Sequence, residues 1–213
     1  MEISPDRSDT ETLAALRRFT RARPAAERCE LCGALLGEEH PHLLARERRR
    51  IACACDACSI LFCSQQDARY LRVPRRVKWL EKFSFSDEQW DAMMLPIGLA
   101  FFLREKDGAT QVLYPSPAGA MESQIRIAPW QELFAPEPVL CNVEPEVEAL
   151  VANRIARDAA YYIVPVDHCF RLVGVIRMQW RGLSGGSEVW RAIAEFFEDL
   201  DRRAGRVKEA SHA

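Results

Sequence analysis

The sequence predicts an α+β protein: an N-terminal helix and a treble-clef or zinc-ribbon-like metal module, followed by a mixed, mainly antiparallel sheet with packed helices. Three observations predict it, namely two Cys-x-x-Cys pairs in the first third of the chain, apolar runs joined by turn signals, and helical apolar spacing near both ends. With 213 residues and 48% hydrophobic content, the chain can bury one large core or two small ones. We assign the N-terminal helix to residues 1–26, the metal module to 27–72, the α+β domain to 73–205 and a tail to 206–213.

The first predicted element is a helix over residues 9–23. Ser8 and Glu11 have the spacing of a capping box, in which each side chain bonds to the backbone N–H of the other residue. Apolar residues then recur at helical spacing until a proline ends the pattern: Leu13, Leu16, Phe19 and Pro24.

Two short cysteine pairs dominate the next segment. The pairs, Cys29 with Cys32 and Cys55 with Cys58, are separated by 22 residues. Four thiolates at this spacing are typical of a tetrahedral metal site, so we expect these four residues to hold Zn²⁺. A hairpin within residues 40–54 and a helix that begins at Cys58 complete the predicted module.

Two choices stay open at this site. Cys53 also lies close enough to pair with Cys58, but we favour Cys55 because its two-residue gap repeats that of the first pair. Cys53 is then either a buried hydrophobic residue or a spare thiol for redox chemistry or a second metal. Iron is the alternative ion, since the Cys-x-x-Cys-Gly sequence ending at Gly33 looks like a rubredoxin knuckle, although Ser59 follows the second pair.

His40 and His42 lie between the cysteine pairs, on the first strand of the predicted hairpin. Zinc-supported nucleases of the His-Asn-His type place a general-base histidine there. The pattern departs from theirs because Ser59 stands where a ligand histidine often follows, and residues 43–58 contain no asparagine. The histidines therefore have four candidate roles: catalysis in a nuclease of this type, shielding the metal site, holding a transient second metal, or contacting a partner.

The next elements begin with a second capping box. Ser86 and Gln89 predict a short helix that ends before Pro96. Apolar runs over 97–103 and 110–114 then flank the Asp-Gly sequence at Gly108, which is a strong hairpin signal. A further strand is predicted near residues 123–127.

The C-terminal part is predicted to contain two helices and two strands. Apolar residues at helical spacing after Pro145 predict a helix over 145–157. Runs over 161–166 and 170–180 predict strands, and the apolar stripe over 188–204 predicts a final helix.

This second domain lacks a recognisable catalytic motif. The sequence contains no Gly-x-Ser-x-Gly elbow, phosphate loop or dinucleotide fingerprint. Asp167, His168 and Cys169 resemble a catalytic trio in order, but neighbours in an extended segment point to opposite faces. We interpret residues 114–122 and 180–186 as rigid loops formed by turn residues, with anion binding as the alternative.

Net charge, hydropathy and the N-terminal sequence limit the kinds of partner and cellular location that we expect. Residues 1–82 carry a formal charge of +4 and the remainder −6, which is too small a positive charge to indicate a nucleic-acid partner. We interpret the basic runs over 46–50 and 72–78 as solvated faces, with contact to phosphates as the alternative. The longest nearly uninterrupted apolar run, over 93–103, is well short of the roughly 20 residues of a membrane span. Without a visible signal peptide, and with cysteines in metal-ligand spacing, we expect a cytoplasmic protein.

The motifs taken together resemble an uncharacterised bacterial family whose members are encoded in gene clusters of NiFe hydrogenases. The resemblance spans about residues 15–200, and it is carried by Cys29-Glu30-Leu31-Cys32-Gly33, His40-Pro41-His42-Leu43, Cys53-Ala54-Cys55-Asp56-Ala57-Cys58, Pro96-Ile97-Gly98, Tyr114-Pro115-Ser116-Pro117 and Val164-Pro165-Val166-Asp167. It implies a partner, either a hydrogenase subunit or a maturation factor.

The sequence therefore predicts a non-catalytic zinc protein that assists assembly, maturation or coupling of a hydrogenase through protein–protein contacts. The first alternative is a metal-dependent nuclease or nucleic-acid-binding protein that uses His40 and His42. The second is a rubredoxin-like electron carrier.

Overall fold

The α+β class is confirmed by a computed structural model, which describes residues 27–64, 68–125, 127–135, 137–156, 158–182 and 184–205. The helix predicted over 9–23 and the tail lie outside the described residues. Two antiparallel sheets organise the described chain, one of three strands and one of six. They correspond in position to the predicted module and domain, and the exact division between the two stays a prediction.

The small sheet forms the predicted hairpin and one further strand. Strand β1 (His42–Ala45) pairs with β2 (Arg50–Cys53) through a turn with a short 3₁₀ segment, in which Arg49 has a positive φ of 46°. Helix α1 (Asp56–Cys63) follows, and β3 (Tyr70–Arg72) then pairs with the other edge of β1. The predicted helix thus begins two residues before Cys58, with Cys55 as its N-cap.

The large sheet has six strands: β4 (Lys78–Trp79), β5 (Leu99–Arg104), β6 (Thr110–Ser116), β7 (Gly119–Glu122), β8 (Glu148–Asn153) and β9 (Ala160–Pro165). Their order across the sheet is β4-β9-β8-β5-β6-β7. All described pairings are antiparallel. The β5–β6 hairpin and strand β9 therefore agree with the sequence prediction.

Helices cover this sheet or connect its strands. They are α2 (Asp87–Ala92), α3 (Trp130–Phe134), α4 (Pro138–Cys141), α5 (Val166–Gln179) and α6 (Gly186–Arg203). Helix α2 has the predicted capping box, in which Gln89 N–H donates to Ser86 Oγ at 3.2 Å and Ser86 N–H donates to Gln89 Oε1 at 2.9 Å. Helix α6 confirms the predicted final helix. No helix in the described ranges has both the length and the apolar character needed to cross a bilayer.

The helix predicted over 145–157 is wrong, because this segment forms the central strand β8. Its residues pair with β5 on one side and β9 on the other, and all six are buried. Ala149 and Val151 face one core while Leu150 and Ala152 face the other. A strand buried on both faces has a continuous apolar run, which periodicity alone does not distinguish from a helix.

The strand predicted over 170–180 is also wrong, because the segment belongs to helix α5. Apolar and polar residues alternate in part of this segment, which is typical of a strand. Phe170 and Met178 belong to that apolar set, yet both of their side chains are exposed. The residues that α5 buries have helical spacing instead: Val166, Cys169, Leu172, Val173 and Ile176. Because α5 begins at Val166, the extended conformation assumed for the Asp167–Cys169 segment is wrong as well.

The third correction concerns residues 114–127. The predicted loop over 114–122 is the end of β6, a two-residue turn and strand β7, so the strand expected near 123–127 lies earlier in the chain. Gly119 has a φ of 135° at the first position of β7, and Ser116 Oγ accepts a hydrogen bond from Ala118 N–H in the turn. Proline and glycine at these positions indicate a tight hairpin rather than an open loop.

The two sheets are tied together by packing and by ion pairs. Leu44 of β1 belongs to the core that lies between the large sheet and helices α5 and α6. Arg46, just after β1, makes a two-pronged ion pair with Glu146, with N–O distances of 3.2 and 2.8 Å. Since β1 contributes to both units, the position of His42 is fixed relative to the N-terminus of α5.

A buried carboxylate offers a test of this packing. Glu148 is fully buried, and its oxygens accept hydrogen bonds from Arg76 at 2.6 and 2.9 Å and from Glu144 N–H at 2.9 Å. Replacing Arg76 by alanine leaves that charge without its cation, so we expect Arg76→Ala to lower the free energy of unfolding by about 2 kcal/mol in urea denaturation.

The neighbouring arginine supplies the control for this experiment. Arg75 lies 3.6 Å from Glu39, whose side chain is 90% exposed, and such surface pairs contribute little to stability. Arg75→Ala should therefore change the free energy of unfolding by less than about 0.5 kcal/mol. Equal, small effects of the two substitutions would contradict the pairing of Arg76 with Glu148.

Candidate metal centre

Four cysteine sulfurs lie together in the module. The Sγ atoms of Cys29, Cys32, Cys55 and Cys58 are all within 4.8 Å of one another, and no disulfide joins them. Cys32 Sγ and Cys55 Sγ are 3.7 Å apart. Four sulfurs at tetrahedral corners, each about 2.3 Å from a zinc ion, are separated by about 3.8 Å, so this spacing matches a metal site.

A tight turn presents the first pair of cysteines. Gly33 N–H donates to Cys29 O at 2.8 Å, and Cys29 N–H donates to Ala34 O at 2.8 Å. Gly33 has a φ of 78°, a conformation that glycine adopts without strain. The turn brings Cys32 back over Cys29, so both thiols point to the same side.

The second pair lies at the N-terminus of α1. Cys58 N–H is 3.5 Å from Cys55 Sγ, so the sulfur of the N-cap residue takes the place that a hydroxyl or carboxylate oxygen often has. Glu30 connects the two pairs: its backbone N–H donates to Cys53 O, and its Oε1 accepts from Cys53 N–H, both at 2.9 Å. The first turn is thereby held against β2, immediately before the second pair.

The thiols differ in acidity because of these contacts. Burial acts to raise the pKa of Cys29, but hydrogen bonds from the backbone N–H groups of Cys55, Cys32 and Leu31 outweigh it and bring the pKa to about 6. Burial and the neighbouring sulfurs raise the pKa of Cys58 to about 12. The Cys29 thiolate therefore forms readily, whereas the Cys58 thiol ionises only when a cation stabilises its charge. The donor set and the geometry fit a metal ion bound by all four sulfurs.

A second cluster lies beside the first. Cys53 Sγ and one ring nitrogen from each of His40 and His42 are all within 4.8 Å of one another. Cys53 and His42 are directly opposite in the β1–β2 ladder, and the rings of His40 and His42 meet edge to face with centroids 5.1 Å apart. The two histidines and the spare thiol thus form a group separate from the four-sulfur site.

Asp167 lies at the centre of a carboxylate–histidine network next to this cluster. Its Oδ2 is 2.6 Å from His42 Nδ1, and its Oδ1 is 3.0 Å from His168 Nδ1. Burial acts to raise the pKa of Asp167, but hydrogen bonds from His168 and His42 hold it well below its usual range. The hydrogen bond to Asp167 raises the pKa of His42, against the opposing effect of burial.

Sequence reasoning missed Asp167 because it placed the residue in an extended segment between two predicted strands. In α5, Asp167 occupies the first turn, where an acidic residue is favoured by the helix dipole. That position was the available signal, since Pro165 followed by Asp167 is typical of a helix start. The network lines a cleft of about 510 Å³ that also includes His40, Arg75 and Arg171.

The fold and the site define a class: an α+β protein with a cysteine metal module attached to an antiparallel sheet. The model of the family of unknown function DUF5947 matches residues 28–204, which is most of the chain. The protein belongs to this family. Searches of curated proteins and of solved structures found no match.

Proposed function

We propose that the protein is a zinc-binding accessory protein that acts by contacting a partner protein rather than by catalysis. The observation that carries this proposal is the completeness of the four-sulfur site. Four thiolates fill the coordination sphere of a tetrahedral ion, whereas a catalytic zinc keeps one position open for water or substrate. The metal then maintains the shape of the module.

An exposed apolar surface on the module supports a binding role. Helix α1 leaves Ile60 and Leu61 each 66% exposed and Phe62 42% exposed among the described residues, and Leu35 on the cysteine turn is 64% exposed. Neighbouring exposed apolar side chains are typical of protein contact sites. Zinc bound at the N-terminus of α1 would fix this surface in place.

The proposed partner is a subunit or a maturation factor of a NiFe hydrogenase. The support is the set of motifs described above, which resembles proteins encoded in hydrogenase gene clusters. Cytoplasmic location, as expected from the reduced cysteines, is part of the same proposal.

Affinity purification tests the partner directly. The tagged full-length protein, expressed in cells that produce the hydrogenase, should recover a hydrogenase subunit or maturation factor. A double variant with Ile60→Ser and Leu61→Ser should keep its zinc and its circular dichroism spectrum but recover at least tenfold less of that protein. Recovery of neither hydrogenase component by the wild-type protein would contradict the proposal.

A metal-dependent nuclease is the second candidate, and the His42–Asp167 contact favours it. A carboxylate that accepts from Nδ1 orients the ring and leaves Nε2 available as a base. Incubation with plasmid DNA and Mg²⁺ or Mn²⁺ tests this function. Cleavage that His42→Ala abolishes would establish the nuclease and reject the accessory role.

A further inference from the structure

The cluster of His40, His42 and Cys53 has a feature that a structural role for these residues does not explain. His40 Nε2 is buried and has no hydrogen-bond partner among the described residues, and the His40 side chain is only 7% exposed. Glu27 Oε2 lies 3.6 Å from this nitrogen, which is too far for a hydrogen bond. Burying a polar nitrogen without a partner costs free energy, so a ligand at this atom would relieve a penalty.

Both imidazoles are held in the orientation that metal binding requires. His40 Nδ1 lies 3.0 Å from Gly37 O, and His42 Nδ1 lies 2.6 Å from Asp167 Oδ2. Because carbonyl and carboxylate oxygens only accept, each Nδ1 carries a proton, and in the neutral form of each ring Nε2 has the free lone pair that a metal needs. Metal-binding histidines almost always have such a partner on the second ring nitrogen.

The backbone brings the third donor to the same point. The β1–β2 register places Cys53 opposite His42, and His40 precedes that strand by two residues. Pro41 O accepts a hydrogen bond from Ala54 N–H at 2.9 Å, which extends the pairing past the strand ends. Two imidazole nitrogens and one sulfur are therefore positioned by ladder hydrogen bonds rather than by mobile loops.

We propose that His40, His42 and Cys53 bind a second transition-metal ion, distinct from the ion at the four-sulfur site. Two imidazoles and a thiolate suit borderline dications such as Zn²⁺, Co²⁺ and Ni²⁺, and they disfavour Mg²⁺ and Ca²⁺, which take oxygen ligands. The ion has three fixed protein ligands. A tetrahedral ion has a fourth position, which would be left to water or an exchangeable small molecule. This proposal is independent of the accessory function.

Asp167 is a positioning residue for this ion because it fixes the His42 ring without being a ligand. The same carboxylate also holds His168 at 3.0 Å, so its position is determined from two sides. Asp167→Asn removes the charge but keeps the side-chain shape. Loss of such an outer partner lowers metal affinity by roughly 10- to 100-fold.

Cobalt titration of the full-length protein, already carrying one equivalent of zinc, tests the site. We expect one equivalent of Co²⁺ to bind without release of zinc and to give a thiolate-to-cobalt charge-transfer band together with visible bands of a four-coordinate ion. Cys53→Ser should remove the charge-transfer band, His40→Ala should abolish the second equivalent, and Asp167→Asn should weaken it 10- to 100-fold. Each variant should keep the first zinc, which shows that the module remains folded.

Cys63→Ser is the matched control. Cys63 lies in α1, outside both clusters, so this variant should bind cobalt like the wild-type protein. The proposal would be overturned if the wild-type protein took up no second equivalent. It would also be overturned if the charge-transfer band persisted in Cys53→Ser, because the cobalt would then be at the four-sulfur site.

Discussion

The variant Cys58→Ser is expected to lose its tightly bound metal and to unfold the module that contains β1 and α1. Structural zinc in small finger peptides contributes on the order of 10–16 kcal/mol of apparent binding free energy, and serine does not replace a thiolate ligand. Metal analysis after gel filtration should find less than about one tenth of the wild-type zinc content. Loss of protection from proteolysis within residues 27–72 should accompany it.

The reason for so large an effect is the small size of the core in this module. Its buried cluster consists of Cys29, Leu43, Ala54 and Cys58, and two of these four belong to the four-sulfur group. Without the metal, little apolar area remains to offset the conformational entropy of the chain.

The control for Cys58→Ser is Cys63, the cysteine at the C-terminal end of α1. Cys63→Ser makes the same chemical change in the same helix, but Cys63 does not belong to the four-sulfur group. It should keep the wild-type zinc content. Normal zinc content and normal protease resistance in Cys58→Ser would contradict the assignment of Cys58 as a ligand.

The second large effect is expected for Ala149→Glu, which should abolish folding of the α+β domain. Ala149 is completely buried in the centre of β8, between β5 and β9. A glutamate there lacks both space and a partner, and burying an unpaired charge costs several kcal/mol, which is comparable with the whole stability of a domain. The measurement is the soluble yield and the cooperative urea transition.

Ile155→Glu is the informative comparison for this strand. A helix over 145–157 would place Ile155 on the buried stripe and Ala149 on the opposite, solvated side. The structure has the opposite burial: Ala149 is buried in β8, whereas Ile155 lies beyond the end of the strand and is 42% exposed. Ile155→Glu should therefore fold normally. A folded Ala149→Glu together with an unfolded Ile155→Glu would contradict the strand.

The parts of the fold that the sequence predicted correctly are those with local, unambiguous chemistry. The capping box at Ser86 and the Asp-Gly turn before β6 each determine the backbone through contacts a few residues apart. The final helix is amphipathic along its whole length. The sequence predicts these elements without information about the segments that pack against them.

The elements that the sequence predicted wrongly depend on their tertiary surroundings. Segment 148–153 is buried on both faces because a core lies on each side of the large sheet. In α5, a partly alternating pattern includes Phe170 and Met178, whose exposure the sequence does not reveal. Burial on both sides, or exposure of a large apolar residue, is decided by distant segments.

In the candidate site too, local features were predictable from the sequence and long-range contacts were not. The spacing of the cysteine pairs predicted which thiols lie together, because a Cys-x-x-Cys turn is local. Asp167 meets His42 from 125 positions away, so its role depended on the correct assignment of α5. Because α5 begins at Val166, Asp167 lies in its first turn, which faces β1 and brings the carboxylate to His42.

The most direct test of the metal centre is X-ray absorption spectroscopy of the protein that carries one equivalent of its native metal. Metal analysis of the same sample decides between zinc and iron. We predict zinc with four sulfur neighbours at about 2.3 Å and no nitrogen or oxygen in the first shell. A first shell that contains nitrogen or oxygen, or a protein that retains no metal, would contradict the four-thiolate centre on which the proposed function depends.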